Sequence, residues 1–232
     1  MIFGYNGHLT WQELGFNPLY LNSFNINILT LFSSMFIHSG PLHLLMNMLI
    51  LIFMGLPFEE RVGGRTFVKI YLISGILGST FTGLTAIHLG IGEADSYHIG
   101  ASGAIFGIMG AFAYLYPRDE IPMLLGFIFL HRVPVFVAAV VFAGAETAFI
   151  AASSTDNIGH DTHLASFVIG ALVAPYLLFS TSKTTLSNLN HLDELATTDS
   201  LKKTLSEAKA ADEPELREAW LETFWEEANK KN

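Results

Sequence analysis

Residues Gly100-Ala101-Ser102-Gly103-Ala104-Ile105-Phe106-Gly107 set one hydroxyl among glycines at the head of an apolar, helix-forming run. A serine framed in this way can be approached closely by another backbone. Further along, His163 opens a second apolar run, His163-Leu164-Ala165-Ser166-Phe167-Val168-Ile169-Gly170, in which the small residues Ser166 and Gly170 are four apart. Small residues at that spacing on two helices let the backbones touch. Such a crossing would set Ser102 beside His163, and a serine with an imidazole in reach is an activated nucleophile. The two runs together predict a serine hydrolase built from membrane helices.

The composition agrees with a membrane setting. Hydrophobic residues make up 51% and charged residues 14% of 232 positions, with 19 Phe and a mean hydropathy of +0.43. A helix of about 20 apolar residues crosses a bilayer, and such runs fall at 41–57, 66–90, 99–117, 133–152 and 158–180. They predict an all-α fold, a polytopic membrane helical bundle in contact with the lipid bilayer. Runs with so little interior charge argue against a soluble helical core. The first basic residue is Arg61. Every Lys and Arg lies in the turns holding Arg61, Arg65, Arg118 and Arg132 or from Lys183 onward, except Lys69, which sits one turn into its run. The connections at 1–40, 90–98 and 151–157 carry none. By the positive-inside rule the basic turns and the C-terminal tail are cytoplasmic and the segment before the first run lies outside. The expected location is the cell membrane, as an integral multi-pass protein.

Three regions follow. Residues 1–40 form an outer interfacial segment, irregular and partly amphipathic, with Trp11, Phe16, Pro18, Tyr20, Phe24 and Phe32 among polar residues; Trp and Tyr favour the membrane interface. Met1 is not followed by a basic and then a long apolar stretch, so no secretory signal is expected there. Residues 41–180 form the membrane domain. Residues 181–232 form an acidic helical tail holding about half the acidic residues of a chain whose net charge is -9. Asp212-Glu213-Pro214-Glu215 reads as a helix start, after which Leu216, Ala219, Trp220 and Phe224 recur at helical spacing. Zero cysteines exclude disulfides and thiolate metal sites. No basic patch suggests nucleic acid.

Ser102 stands near a helix start, where backbone amides lack helical acceptors and the dipole favours a developing oxyanion. In the first run, His43 and Asn47 are four apart and share a helical face. An imidazole and an amide aimed at the serine would add side-chain donors to an oxyanion hole.

These residues resemble the rhomboid intramembrane serine proteases. The resemblance covers about residues 29–180 and rests on His43-x-x-x-Asn47, Gly100-x-Ser102-Gly103-x-x-x-Gly107 and the helix opened by His163, in that order, with Gly55-x-x-x-Glu59-x-x-x-Gly63 after the first run. It implies a rhomboid-like bundle that cleaves transmembrane protein substrates near the outer membrane surface. It implies Ser102 as nucleophile and His163 as general base, a dyad without an acidic third member and without a cofactor. His43, Asn47 and the Ser102 amide would hold the oxyanion, and Phe106 would pack against the catalytic imidazole. The run beginning Val133-Pro134 would be the movable gate. The family core has one span more than the five drawn here, and the chain begins about where that first span should end. Ser166 stands where the family usually has Gly, and Leu29-Thr30 where many members have Trp-Arg.

Each motif has a plainer reading. Gly-x-Ser-Gly with Gly107 suits helix packing, and His163 alone suits a structural role; their joint presence with His43 and Asn47 favours catalysis. His38 and His160 read as structural or loop histidines, and Asp161 as a cap for the last helix. Glu146, an ionisable group among Ala143, Gly144, Ala145, Thr147 and Phe149, is costly in a membrane. A hydrogen bond from it to a neighbouring helix is expected rather than a part in the dyad. A metal protein using His38, His43, His160 and His163 is the rival reading, but His-Glu-x-x-His is absent and no metal is expected. The remaining alternative is a non-catalytic rhomboid-like protein that binds transmembrane helices.

Overall fold

The computed structural model describes residues 11–22, 26–125, 128–152, 159–189, 192–193, 196–211 and 214–229. Phe24, Asp212, Glu213 and most of the 151–157 connection lie outside the described residues. The chain divides into two compact units, 1–177 and 178–232.

Five apolar helices occupy the places of the five runs: α1 (Pro41–Val62), α2 (Gly64–Leu89), α3 (Ser102–Leu115), α4 (Val135–Ala151) and α5 (His160–Leu189). A π turn at Leu51–Gly55 interrupts α1 directly before Pro57, which has no N–H to close an α turn. The helices α1 and α2, and α5 over His160–Leu178, are long and apolar enough to cross a bilayer. In contrast α3 and α4 have 14 and 17 residues, shorter than the runs drawn for them. At 1.5 Å per residue α3 is only about 21 Å long, against a hydrocarbon core of ~30 Å. Hydropathy continues past the helix ends while the backbone does not. Gly100 has φ +123°, Pro117 follows the last turn of α3, and Pro134 is extended at the head of α4.

Helix α2 is apolar outside and, apart from the buried Ile70, small or hydroxylated inside. On α2, Thr66, Ser74, Gly75, Gly78, Thr82, Gly83 and Ala86 are buried while Val68, Leu77, Phe81, Leu84 and Leu89 are exposed. This inverts the soluble pattern and suits lipid as the solvent. The buried hydroxyls bond back to their own helix, Ser74 Oγ to the Ile70 carbonyl at 2.7 Å and Thr82 Oγ1 to that of Gly78 at 3.1 Å, so they need no water. Between helices, Thr82 and Thr162 hydroxyls meet at 2.9 Å, joining α2 to α5.

Helix α3 is central, with every residue from Gly103 to Phe112 buried. Its small residues are what allow the crossing. A Cβ added at Gly107 would fall on the Ser74 hydroxyl of α2, one at Gly110 on the Phe167 carbonyl of α5, and one at Gly170 of α5 on the Gly107 carbonyl.

The basic turn between α3 and α4 is an antiparallel hairpin, β1 (Glu120–Leu125) and β2 (Ile128–Pro134), which the all-α expectation did not contain. Its register slips between Ile121 and Met123, at Pro122, which cannot donate to the ladder. Arg61 at the end of α1 reaches Asp119 Oδ2 at 2.8 Å, so the basic ends of α1 and the hairpin lie together. At the opposite ends, residues 11–22 and 26–36 include short helical turns that pin the loop leading to Ser102. Phe16 and His98 exchange backbone hydrogen bonds of 3.0 and 2.8 Å, Asn17 Nδ2 donates to Asp95 Oδ1 at 3.1 Å, and the Gly100 amide donates to the Ser34 carbonyl at 2.9 Å.

In the second unit α6 (Asp199–Ala210) is capped by Thr198, whose hydroxyl accepts from the Leu201 amide at 3.3 Å. It is followed by α7 (Pro214–Asn229). Leu189, Leu192, Ala196, Leu201, Leu205 and Phe224 form the core, with Leu221 and Ala228 against it. Leu216 and Ala219, assigned above to the apolar face, are exposed. Two overlapping apolar stripes fit the period of this segment, and packing selects the one through Leu221, Phe224 and Ala228.

Candidate active site

Ser102 and His163, on helices brought together by the glycine crossing, meet with Ser102 Oγ 2.7 Å from His163 Nε2. Phe106, one turn beyond Ser102, stacks on the His163 ring with centroids 4.5 Å apart and planes 5° from parallel. Phe142 of α4 meets Phe106 edge-on at 6.3 Å. The His163 side chain is 9% exposed, so stacking and burial leave it little freedom.

Gly100 lies between His43 and the serine. A Cβ there would stand 2.9 Å from His43 Nε2 and 3.6 Å from Ser102 Oγ, and its φ of +123° is one that glycine tolerates. The Ser39 amide donates to His43 Nδ1 at 3.3 Å and the Ser39 hydroxyl lies 3.0 Å from the same atom. A backbone N–H can only donate, so neutral His43 carries its proton on Nε2, the atom turned toward Gly100. Asn47, 5% exposed, donates from Nδ2 to the His43 carbonyl at 2.8 Å rather than to the serine. An amide nitrogen has two N–H groups, so one is left for another acceptor. The first helical bond of α3 runs from the Ile105 amide to the Ala101 carbonyl at 3.0 Å, which leaves the amides of Ser102, Gly103 and Ala104 without helical acceptors. Gly103 faces α5, where a Cβ would stand 3.4 Å from Ser166 Oγ and from Thr162 Cγ2.

The flanking histidines are more engaged than their sequence suggested. His38 Nε2 accepts from the Ala101 amide at 3.5 Å. Burial and the neighbouring His43 hold His38 below its ordinary pKa, consistent with a neutral ring acting as acceptor. Asp161 is the second residue of α5 rather than a residue before it, and its carboxylate accepts from the Thr162 amide at 2.8 Å. Glu146 does reach the neighbouring helix, where Oε2 contacts His160 Nδ1. Its other oxygen, Oε1, lies 3.1 Å from His163 Nδ1, in ion-pair range though poorly aligned for a hydrogen bond. A carboxylate therefore stands where the resemblance implied no acidic neighbour. Spacing could not reveal this, because it depends on how α4 rotates against α5; the one signal was an ionisable residue within an apolar run. The four histidines of the rival metal reading divide into two pairs, His38 with His43 and His160 with His163, at centroid distances of 5.1 and 6.2 Å. Glu146, His160 and His163 place ligand-type atoms within 4.8 Å of one another.

A hydroxyl and an imidazole in contact at a helix crossing, inside a bundle with apolar outer faces, define a multi-pass membrane protein with a serine–histidine pair at its centre. The chain belongs to the rhomboid family: the family model for the Rhomboid domain matches residues 25–180. Among curated relatives, Rhomboid protein 1, mitochondrial, of Saccharomyces cerevisiae is 29% identical over 176 residues, 72% of this chain and 47% of that protein. RHOMBOID-like protein 4 of Arabidopsis thaliana is 32% identical over 148 residues, 64% of this chain and 34% of that protein. RHOMBOID-like protein 2 of the same plant is 44% identical over 78 residues, 34% of this chain and 22% of that protein. The matches span less than half the length of each of these relatives. No solved structure matches the chain.

Proposed function

We propose that the chain is an intramembrane serine protease that cleaves transmembrane protein substrates. The observation that carries this reading is the 2.7 Å contact between Ser102 Oγ and His163 Nε2. In the proposed reaction a substrate helix unwinds beside α4, and Ser102 Oγ attacks the scissile carbonyl as His163 Nε2 takes its proton. The oxyanion is held by the amides at the head of α3, by the Nε2–H of His43 and by the second N–H of Asn47. His163 then returns the proton to the leaving amine, and water, activated by the same imidazole, releases the acyl enzyme. The residues supply every proton position, and the reaction requires no cofactor. In this reading Ser102 lies toward the outer membrane face, and residues 181–232 form a separate cytoplasmic tail domain of a cell-membrane protein.

The test is cleavage of a transmembrane reporter by the purified protein in lipid vesicles. The expected result is a cut within or beside the reporter helix that depends on Ser102. A folded protein that binds the reporter helix without cutting it would replace this reading with the non-catalytic one. In the same assay Asn47→Ala is expected to lower kcat by about a hundredfold, the usual cost of one oxyanion donor, and not to abolish turnover. An unchanged kcat would remove Asn47 from the oxyanion site.

A further inference from the structure

We propose that Glu146 is a positioning residue that fixes the proton of His163 on Nδ1, so that Nε2 faces Ser102 as a base. This rests on the protease reading above. For Nε2 to accept the Ser102 proton, a neutral His163 must carry its own proton on Nδ1. The atom 3.1 Å from Nδ1 is Glu146 Oε1, and an ionised carboxylate only accepts. In this proposal the bond forms as either side chain turns to align the 3.1 Å contact. When the serine proton moves to Nε2, the imidazolium formed is faced by the same carboxylate, which stabilises it without taking a proton.

Glu146 is itself held. Its Oε2 contacts His160 Nδ1, and Phe149 of α4 stacks on the His160 ring with centroids 4.8 Å apart and planes 13° from parallel. A carboxylate serving only to tie α4 to α5 would be satisfied by His160. The second oxygen instead meets the Nδ1 edge of His163, the ring nitrogen not turned to Ser102, and the Glu146 side chain is only 12% exposed, so water competes weakly. The order Phe149, His160, Glu146, His163, Ser102 is thus a continuous line of contacts ending on the nucleophile.

The test compares wild type, Ser102→Ala and Glu146→Gln in lipid vesicles, each corrected for its folded fraction. Glu146→Gln is expected to lower kcat by roughly tenfold or more with KM within about twofold. Loss of the orienting carboxylate in a serine–histidine–aspartate triad costs ~10⁴-fold, mainly through the wrong tautomer. The rate of labelling of Ser102 by a fluorophosphonate should fall in parallel. A folded Glu146→Gln protein with wild-type kcat, whatever its thermal stability, would overturn the role while leaving the protease reading intact. Wild-type labelling that does not need Ser102 would instead overturn the protease reading itself. Nitrogen-15 shifts of the His163 ring in the wild-type protein give a second readout that needs no variant to fold. A proton on Nδ1 is the expected state, and a proton on Nε2 in the resting enzyme would overturn the proposal.

Discussion

Alanine at position 102 is expected to reduce substrate cleavage by about 10³-fold or more, and alanine at position 163 to do the same. Both effects follow from the direct contact of the two side chains, because each group is useless for attack without the other. The double variant should therefore be no slower than either single one, since residues that act as a unit lose activity together rather than additively. Ser102→Ala removes only a hydroxyl and no packing contact of the α2–α3–α5 crossing, so its thermal unfolding should shift little. His163→Ala leaves Phe106 without its stacking partner and is expected to be modestly less stable. Turnover measured beside thermal unfolding in the same vesicles separates the two effects. Retained cleavage in a folded Ser102→Ala protein would dismiss the serine from the chemistry.

Valine at position 170 is expected to destabilise the membrane unit by about 2 kcal/mol or more and to abolish cleavage with it. The first atom of the new side chain would land on the Gly107 carbonyl, and that obstacle is backbone, which cannot rotate aside as a side chain would. Relief requires α5 to move away from α3, and that motion also separates His163 from Ser102. Gly144→Ala is the matched control, because no atom lies within 4 Å of a Cβ built there. Thermal unfolding should fall for Gly170→Val and remain near wild type for Gly144→Ala. Equal stabilities would mean that the α3–α5 crossing is looser than described.

The crossing was legible in the sequence because its signal is local: small residues four apart on two apolar runs, with Ser102 and His163 at their heads. That Phe106 would pack against the imidazole comes from the family resemblance and not from the helical period, which says only that it lies one turn after Ser102. The ends of α3 and α4 were not legible, since hydropathy reports what a residue dissolves in and not where a backbone turns at Gly100 or Pro134. The hairpin at Glu120–Pro134 hid for a related reason. An apolar stretch such as Met123–Leu130 reads alike as strand or helix, and only its partner strand distinguishes them. The helical period puts His43 and Asn47 on one face, yet period alone could not say that Nδ2 turns back to the His43 carbonyl. The cost of Glu146 in a membrane is visible in the sequence, whereas its approach to His163 is a property of two helices packing.

The central claim is that His163 activates Ser102. It is tested most directly by labelling the purified protein with a fluorophosphonate probe in wild type, Ser102→Ala and His163→Ala. Labelling of the wild type that disappears in both variants is the expected result. A folded wild type that does not label, or labelling that persists without His163, would contradict the account.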